Sequence, residues 1–179
     1  MATGTGKTYV AIHCIKELLK KEKELCVVIV VPTTHLVTQW KKDVEEFEFK
    51  NILEIFGNYS SWKKYLTTKI DEFNLGYIND IIIITTYDTF SSEKFVGMIE
   101  NVKRRCMFLI ADEVHSAGSP QRSKGLLSLY KYWLGLSATP ERWYDPEGTE
   151  RIIQFFGPII FRYTLKDAIR DGWLSPYKY

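Results

Sequence analysis

Hydrophobic residues fall in two rhythms along this chain. Ala11, Cys14, Ile15, Leu18 and Leu19 recur at the spacing of one helix face while Lys16, Glu17, Lys20 and Lys21 take the other, which predicts an amphipathic helix running into the charged turn 21–24. Cys26-Val-Val-Ile-Val-Val31 is β-branched and apolar on both faces, the pattern of a strand inside a parallel sheet. Pro32 stops it. Thr33 or Thr34 then caps a second helix with the stripe Leu36, Val37, Trp40, Val44 and Phe47. A short strand is expected from Asn51 to Phe56, closed by Gly57, and Trp62, Leu66, Ile70 and Phe73 mark another helix. Asp80 to Thr86 repeats the buried-strand pattern ahead of a helical stretch carrying Phe90, Phe95, Met98 and Ile99. Cys106 to Ala111, Tyr132 to Leu136 and Ile159 to Tyr163 read as further strands, before a short helix from Leu165 to Arg170 and the polar tail 171–179.

Strands separated by helical segments predict right-handed β-α-β crossovers and an α/β three-layer domain, a mostly parallel sheet with helices on both faces. Ligands of such sheets gather outside the carboxyl ends of the strands. The chemically interesting residues of this chain fall at those ends.

Composition narrows the class. With 179 residues and 45% hydrophobic content the chain fills one domain and is too short for two. The 24 basic and 22 acidic residues leave a net charge of +2, so any surface for a polyanion must be local. Cys14, Cys26 and Cys106 sit in apolar contexts without C-x-x-C spacing and read as reduced structural thiols. There is no signal peptide and no apolar run of membrane-spanning length, so the expectation is a soluble intracellular protein, cytoplasmic or nucleoid-associated, nuclear if eukaryotic, with no membrane partner.

Met1-Ala-Thr-Gly-Thr-Gly-Lys-Thr8 runs straight into the first helix and has the chemistry of a phosphate-gripping loop. Thr3, Gly4, Thr5 and Gly6 can turn backbone N–H groups inward, since glycine allows close approach of the main chain to phosphate oxygens. Lys7 supplies a mobile cation, Thr8 offers a hydroxyl to an accompanying Mg²⁺, and the helix adds the positive end of its dipole. The usual pattern would place its first glycine where Met1 stands, and it follows a buried strand that this sequence does not show. A piece of a longer protein, or one without its first strand, is the expectation.

Asp112-Glu-Val-His115 follows an apolar strand directly. One carboxylate at a strand end suits the Mg²⁺ shell of a bound nucleotide, reached through water, and the next can orient and deprotonate the water that attacks a terminal phosphate. Asp112 takes the first role and Glu113 the second. Leu136-Ser-Ala-Thr-Pro140 offers hydroxyls near the end of a neighbouring strand as partners for His115, although by itself Ser-Ala-Thr is an ordinary turn.

Taken in order, residues 1–8, Val-Val-Pro-Thr-Thr-His-Leu-Val-Thr-Gln-Trp (30–40), Thr-Thr-Tyr-Asp (85–88), Asp-Glu-Val-His (112–115) and Leu-Ser-Ala-Thr-Pro (136–140) resemble the motifs of superfamily 2 helicases. The chain is similar to the first RecA-like, P-loop NTPase domain of a DExH-type member, close to the type III restriction-subunit and DNA-repair branch. That resemblance implies a nucleic-acid-dependent ATP hydrolase that translocates on or unwinds DNA, with RNA the second candidate. It implies ATP and Mg²⁺ at residues 3–8, Mg²⁺ also at Asp112, and catalysis by Lys7, Asp112, Glu113 and His115. His115 with Ser137 and Thr139 would couple hydrolysis to domain movement, and Pro32, Thr33, Thr34, Thr86 and Tyr87 would touch the nucleic-acid backbone.

On that reading residues 1–163 are the ATP-binding domain, and 164–179 a helix and the start of a linker to a second RecA-like domain of the same longer chain. That second domain would supply arginines to the cleft, and without it hydrolysis is expected to be weak. Alternatives stay open at three places. Thr33 and Thr34 also read as a plain helix cap, Tyr87 also reads as core packing, and the whole domain also reads as a non-hydrolysing assembly module. Lys103-Arg-Arg105 reads as solvated charge, and Tyr59, Trp62 and Tyr65 as helix packing rather than base stacking.

Overall fold

A computed structural model describes residues 6–103, 106–138, 145–173 and 175. Thr3, Gly4, Thr5 and Thr139, together with Arg104 and Arg105, lie outside the described residues.

Five parallel strands form one sheet in the order β2-β3-β1-β4-β5. They are β1 (Leu25–Val31), β2 (Ile52–Ile55), β3 (Asp80–Thr86), β4 (Met107–Asp112) and β5 (Tyr132–Leu136). The helices are α1 (Lys7–Lys21), α2 (Thr34–Glu45), α3 (Tyr59–Asn74), α4 (Tyr87–Phe90), α5 (Glu93–Ile99), α6 (Pro146–Phe156) and α7 (Leu165–Arg170), with 3-10 turns at Val114–Gly118 and Arg122–Gly125.

The alternation of side chains in β1 builds both outer layers. Leu25, Val27, Ile29 and Val31 pack beneath α1 and α2, with Ile12, Ile15, Val37 and Trp40. Cys26, Val28 and Val30 face the other way, onto Leu66, Ile70 and Phe73 of α3 and Phe95 of α5. All seven residues of β1 are buried. Burying each Val or Ile side chain is worth about 1.5–3 kcal/mol relative to exposure, so the central strand anchors the domain. The three-layer α/β architecture expected from the sequence is the one found.

Two segments depart from expectation. Ile159–Tyr163 is not a strand: Ile160 is 87% and Phe161 61% exposed, and no strand among the described residues offers the run a ladder. Apolar content alone does not make a strand where no sheet edge receives it. The helix α6, in turn, is an element beyond those expected from the sequence. Pro146 opens it and the Asp145 side chain accepts from the Gly148 N–H, so its start is written in cap chemistry. Its inner face places Ile152 and Phe156 against Ala111 and Val114, and Arg151 Nε donates to Gly118 O at 2.9 Å. This helix thereby braces the turn that follows β4. No helix among the described residues is long and apolar enough to cross a membrane.

Candidate functional site

At the amino end of α1, Gly6 has φ 84° and ψ 21°, a left-handed conformation that favours glycine. Gly6 offers no capping side chain and the first turn of α1 carries no acidic residue, so within the helix itself nothing offsets the positive end of its dipole. Lys7 begins the helix and its Nζ lies 3.7 Å from Glu113 Oε1, which sets the start of α1 beside the end of β4.

Glu113 stands directly after β4 with φ 48° and ψ 57°, an uncommon conformation for a residue with a side chain. The register explains its company. Asp112 pairs across from Leu136, so the next residues of the two strands, Glu113 and Ser137, lie side by side. Ser137 Oγ donates to Glu113 Oε2 at 3.2 Å, and His115 Nδ1 lies 3.3 Å from Ser137 Oγ and 3.5 Å from Glu113 Oε2. Lys7, Glu113, His115 and Ser137 thus form one constellation, built from α1, the turns after β4 and the end of β5.

Asp112 points to the α1–α2 side of the sheet, in step with Phe108 and Ile110. The indole Nε1 of Trp40 donates to its Oδ2 at 3.0 Å, and the Glu113 N–H donates to its Oδ1 at 3.0 Å. Burial pushes the Asp112 carboxyl above the usual carboxylate range; the Trp40 hydrogen bond pulls it back, and the Glu113 charge adds to the upward push. Beneath the turn, Tyr87 OH donates to Asp112 O at 2.8 Å and lies 3.5 Å from Glu113 O. Helical spacing puts Trp40 in the core stripe of α2. A buried indole N–H needs an acceptor, and strand alternation puts Asp112 on the same face, so the contact had a signal in the sequence.

Among the described residues no three His, Cys, Asp or Glu side chains lie together as a metal cage. Thr8 and Asp112 offer only oxygen donors, and Mg²⁺ is held in just that fashion, by one or two carboxylates with substrate phosphates and water. The residues present fit the cation.

A concavity of about 630 Å³ opens at the carboxyl ends of β1 and β3. Val31 pairs with Thr86, so Thr86 and the segment Pro32–Thr34 that follows Val31 are brought together along its wall. Thr33 caps α2, accepting from the Leu36 N–H at 3.4 Å, and Thr86 caps α4, accepting from the Thr89 N–H at 3.4 Å. Tyr87 is different. Its side chain is 1% exposed and belongs to the core, as the packing alternative had it. The far wall adds Tyr59, Trp62 and Lys94, none assigned to binding from the sequence, with Lys94 Nζ 4.9 Å from the centre of the Tyr59 ring. Trp62 is 5% exposed and packs on the core, in line with its helix-packing reading.

A parallel sheet with a Gly-Lys-Thr helix start facing an Asp-Glu strand end is the arrangement of a P-loop NTPase, and the five motif segments in their order make it the first RecA-like domain of a superfamily 2 helicase. Residues 1–142 match the family described as "Type III restriction enzyme, res subunit". The chain belongs to that family. It is 28% identical over 184 residues to a subunit of the type I restriction enzyme EcoAI endonuclease of Escherichia coli, covering 99% of this chain and 20% of that protein. It is 29% identical over 179 residues to the DNA 3'-5' translocase XPB2 of Sulfurisphaera tokodaii, covering 99% of this chain and 34% of that protein. Among solved structures it resembles the ATP-dependent type ISP restriction-modification enzyme LlaBIII bound to DNA, with a TM-score of 0.74 and 20% identity over 99% of this chain and 14% of that one. The chain therefore spans between 14% and 34% of the length of these proteins.

Proposed function

We propose that this chain is the ATP-binding motor domain of a DNA-dependent ATPase that translocates on or unwinds its polymer. The observation that carries the reading is Lys7 Nζ standing 3.7 Å from Glu113 Oε1 at the carboxyl end of the sheet, with Asp112 adjacent. Residues 3–8 would bind the triphosphate, with Lys7 countering its charge and Thr8 and Asp112 holding Mg²⁺. The cation supplies charge neutralisation on the phosphate oxygens when bound. Glu113 orients the attacking water and takes its proton, held in place by Ser137 and by its own backbone turn. His115, with Ser137 and Thr139, would report the state of this carboxylate to the rest of the motor. DNA would run through the groove at Pro32, Thr33, Thr34 and Thr86, where hydroxyls and the amino end of α2 meet backbone phosphates, with Lys94 as an added cation. A second RecA-like domain of a longer chain would complete the cleft with arginines. The relatives named for restriction and DNA translocation support DNA as the polymer ahead of RNA.

The test is ATP hydrolysis by the full-length protein, with and without single-stranded and duplex DNA and RNA, beside Lys7→Ala. Stimulation by DNA that Lys7→Ala abolishes is expected. No stimulation by any polymer overturns the reading, and ATP binding without turnover moves it to an assembly module.

A further inference from the structure

The groove and the Asp112–Glu113 turn are separate places, yet two of the segments that line the groove each send one aromatic side chain to that turn. From α2, whose capping Thr33 lies in the groove wall, Trp40 reaches back about two helical turns further on and donates to Asp112 Oδ2 at 3.0 Å. From α4, capped by the groove residue Thr86, Tyr87 donates to Asp112 O at 2.8 Å. Both side chains are 1% exposed, so neither can touch DNA or nucleotide itself. Asp112 Oδ1 accepts from the Glu113 N–H. Its other oxygen and its carbonyl are thus held by two of the elements that would meet nucleic acid.

We propose that Trp40 and Tyr87 are positioning residues which couple nucleic-acid occupancy of the groove to the Asp112–Glu113 turn, and hence to nucleotide binding. This rests on the motor reading above. A helix packed on a sheet shifts as a unit, so a phosphate drawn to the amino end of α2 displaces the indole with it. Hydrogen bonds of about 3 Å weaken steeply with small changes of distance and angle. The turn answers because Glu113 sits in a sparsely populated backbone conformation that its surroundings must hold. Coupling of this kind is reciprocal: nucleotide must alter DNA affinity by the factor by which DNA alters nucleotide affinity.

The experiment reads that factor in the full-length protein. Binding of fluorescently labelled single-stranded and duplex DNA is measured by anisotropy, with and without Mg²⁺ and a non-hydrolysable ATP analogue. The wild type should show a ratio of DNA dissociation constants of about 5- to 150-fold, the usual span of coupling between sites. Tyr87→Phe removes only the hydroxyl, whereas Trp40→Phe removes the indole N–H together with part of the buried ring; in each the ratio should collapse towards one. Thermal melts accompany both variants, and a side chain that merely fills the core would lower Tm while leaving the ratio intact. If one variant melts early, the other still decides. Wild-type ratios kept in both variants, or a wild-type ratio of one, overturn the proposal. A wild-type protein that binds neither DNA nor the analogue is a separate result, which sinks the motor reading itself.

Discussion

The Lys7 ammonium and the Glu113 carboxylate face one another at 3.7 Å, across the space between the start of α1 and the end of β4. Their side chains are 12% and 30% exposed, so the pair is partly screened by the domain and still open to a ligand. The two members are expected to fail differently. Glu113→Gln keeps the shape and the Ser137 contact but loses the base, and should lower turnover by about 10²–10⁴-fold while ATP still binds. Lys7→Ala should weaken nucleotide binding itself. Steady-state ATPase rates beside direct nucleotide binding separate the two.

Thr33 and Thr34 are both exposed in the groove wall, but only Thr33 accepts the Leu36 N–H. Thr33→Ala should cost about 1 kcal/mol of stability as a lost cap, in addition to any loss of DNA affinity. Thr34→Ala should weaken DNA binding with little change in stability. Urea denaturation and DNA titrations on the same preparations check both, and equal stability losses would remove the distinction.

Lys94 tests the electrostatics of the same groove. Loss of one phosphate contact lowers the slope of log Kobs against log salt by about 0.9 for duplex and about 0.7 for single-stranded DNA. Lys94→Ala should show a drop of that size, and an unchanged slope would put this lysine outside the DNA path.

Asp80, at the start of β3, has its carboxyl pushed above the usual range by burial, partly offset by a hydrogen bond with Asn51. A raised native pKa means that folding favours the protonated form, so stability contributed at low pH is lost as pH rises through that pKa. Asp80→Asn should therefore melt above the wild type at pH 7, with the gain shrinking as pH is lowered through the native pKa. Tm measured across that range checks the sign.

Burial pushes the thiol of Cys26 up to about 12 and that of Cys106 up to about 11, and Cys14 is half-buried. In the native protein at pH 7.5, mass spectrometry after brief alkylation should find Cys14 modified first. Cys26 and Cys106 should react only on unfolding.

Much of this was legible in the residues alone. A run such as Cys26–Val31 has one stable destination, a strand covered on both faces, and Asp112 and Glu113 had to fall at a carboxyl end because an apolar strand delivers them there. Helix spacing fixed the stripes of α1, α2 and α3, and the Thr33 cap stood in its proper place. Side-chain periods of 3.6 and 2 are local properties, and local properties survive in a one-dimensional string.

Tertiary structure decided what depends on pairing between distant segments. The order β2-β3-β1-β4-β5 brings Glu113 beside Ser137 and Pro32 beside Thr86, and neither adjacency follows from spacing along the chain. It also decided that Ile159–Tyr163 stays out of the sheet, that α6 braces the turn after β4, and that Tyr87 and Trp40 spend their polar atoms on Asp112. Each outcome turns on which buried donor meets which acceptor once the layers close, and that geometry exists only after the chain has packed.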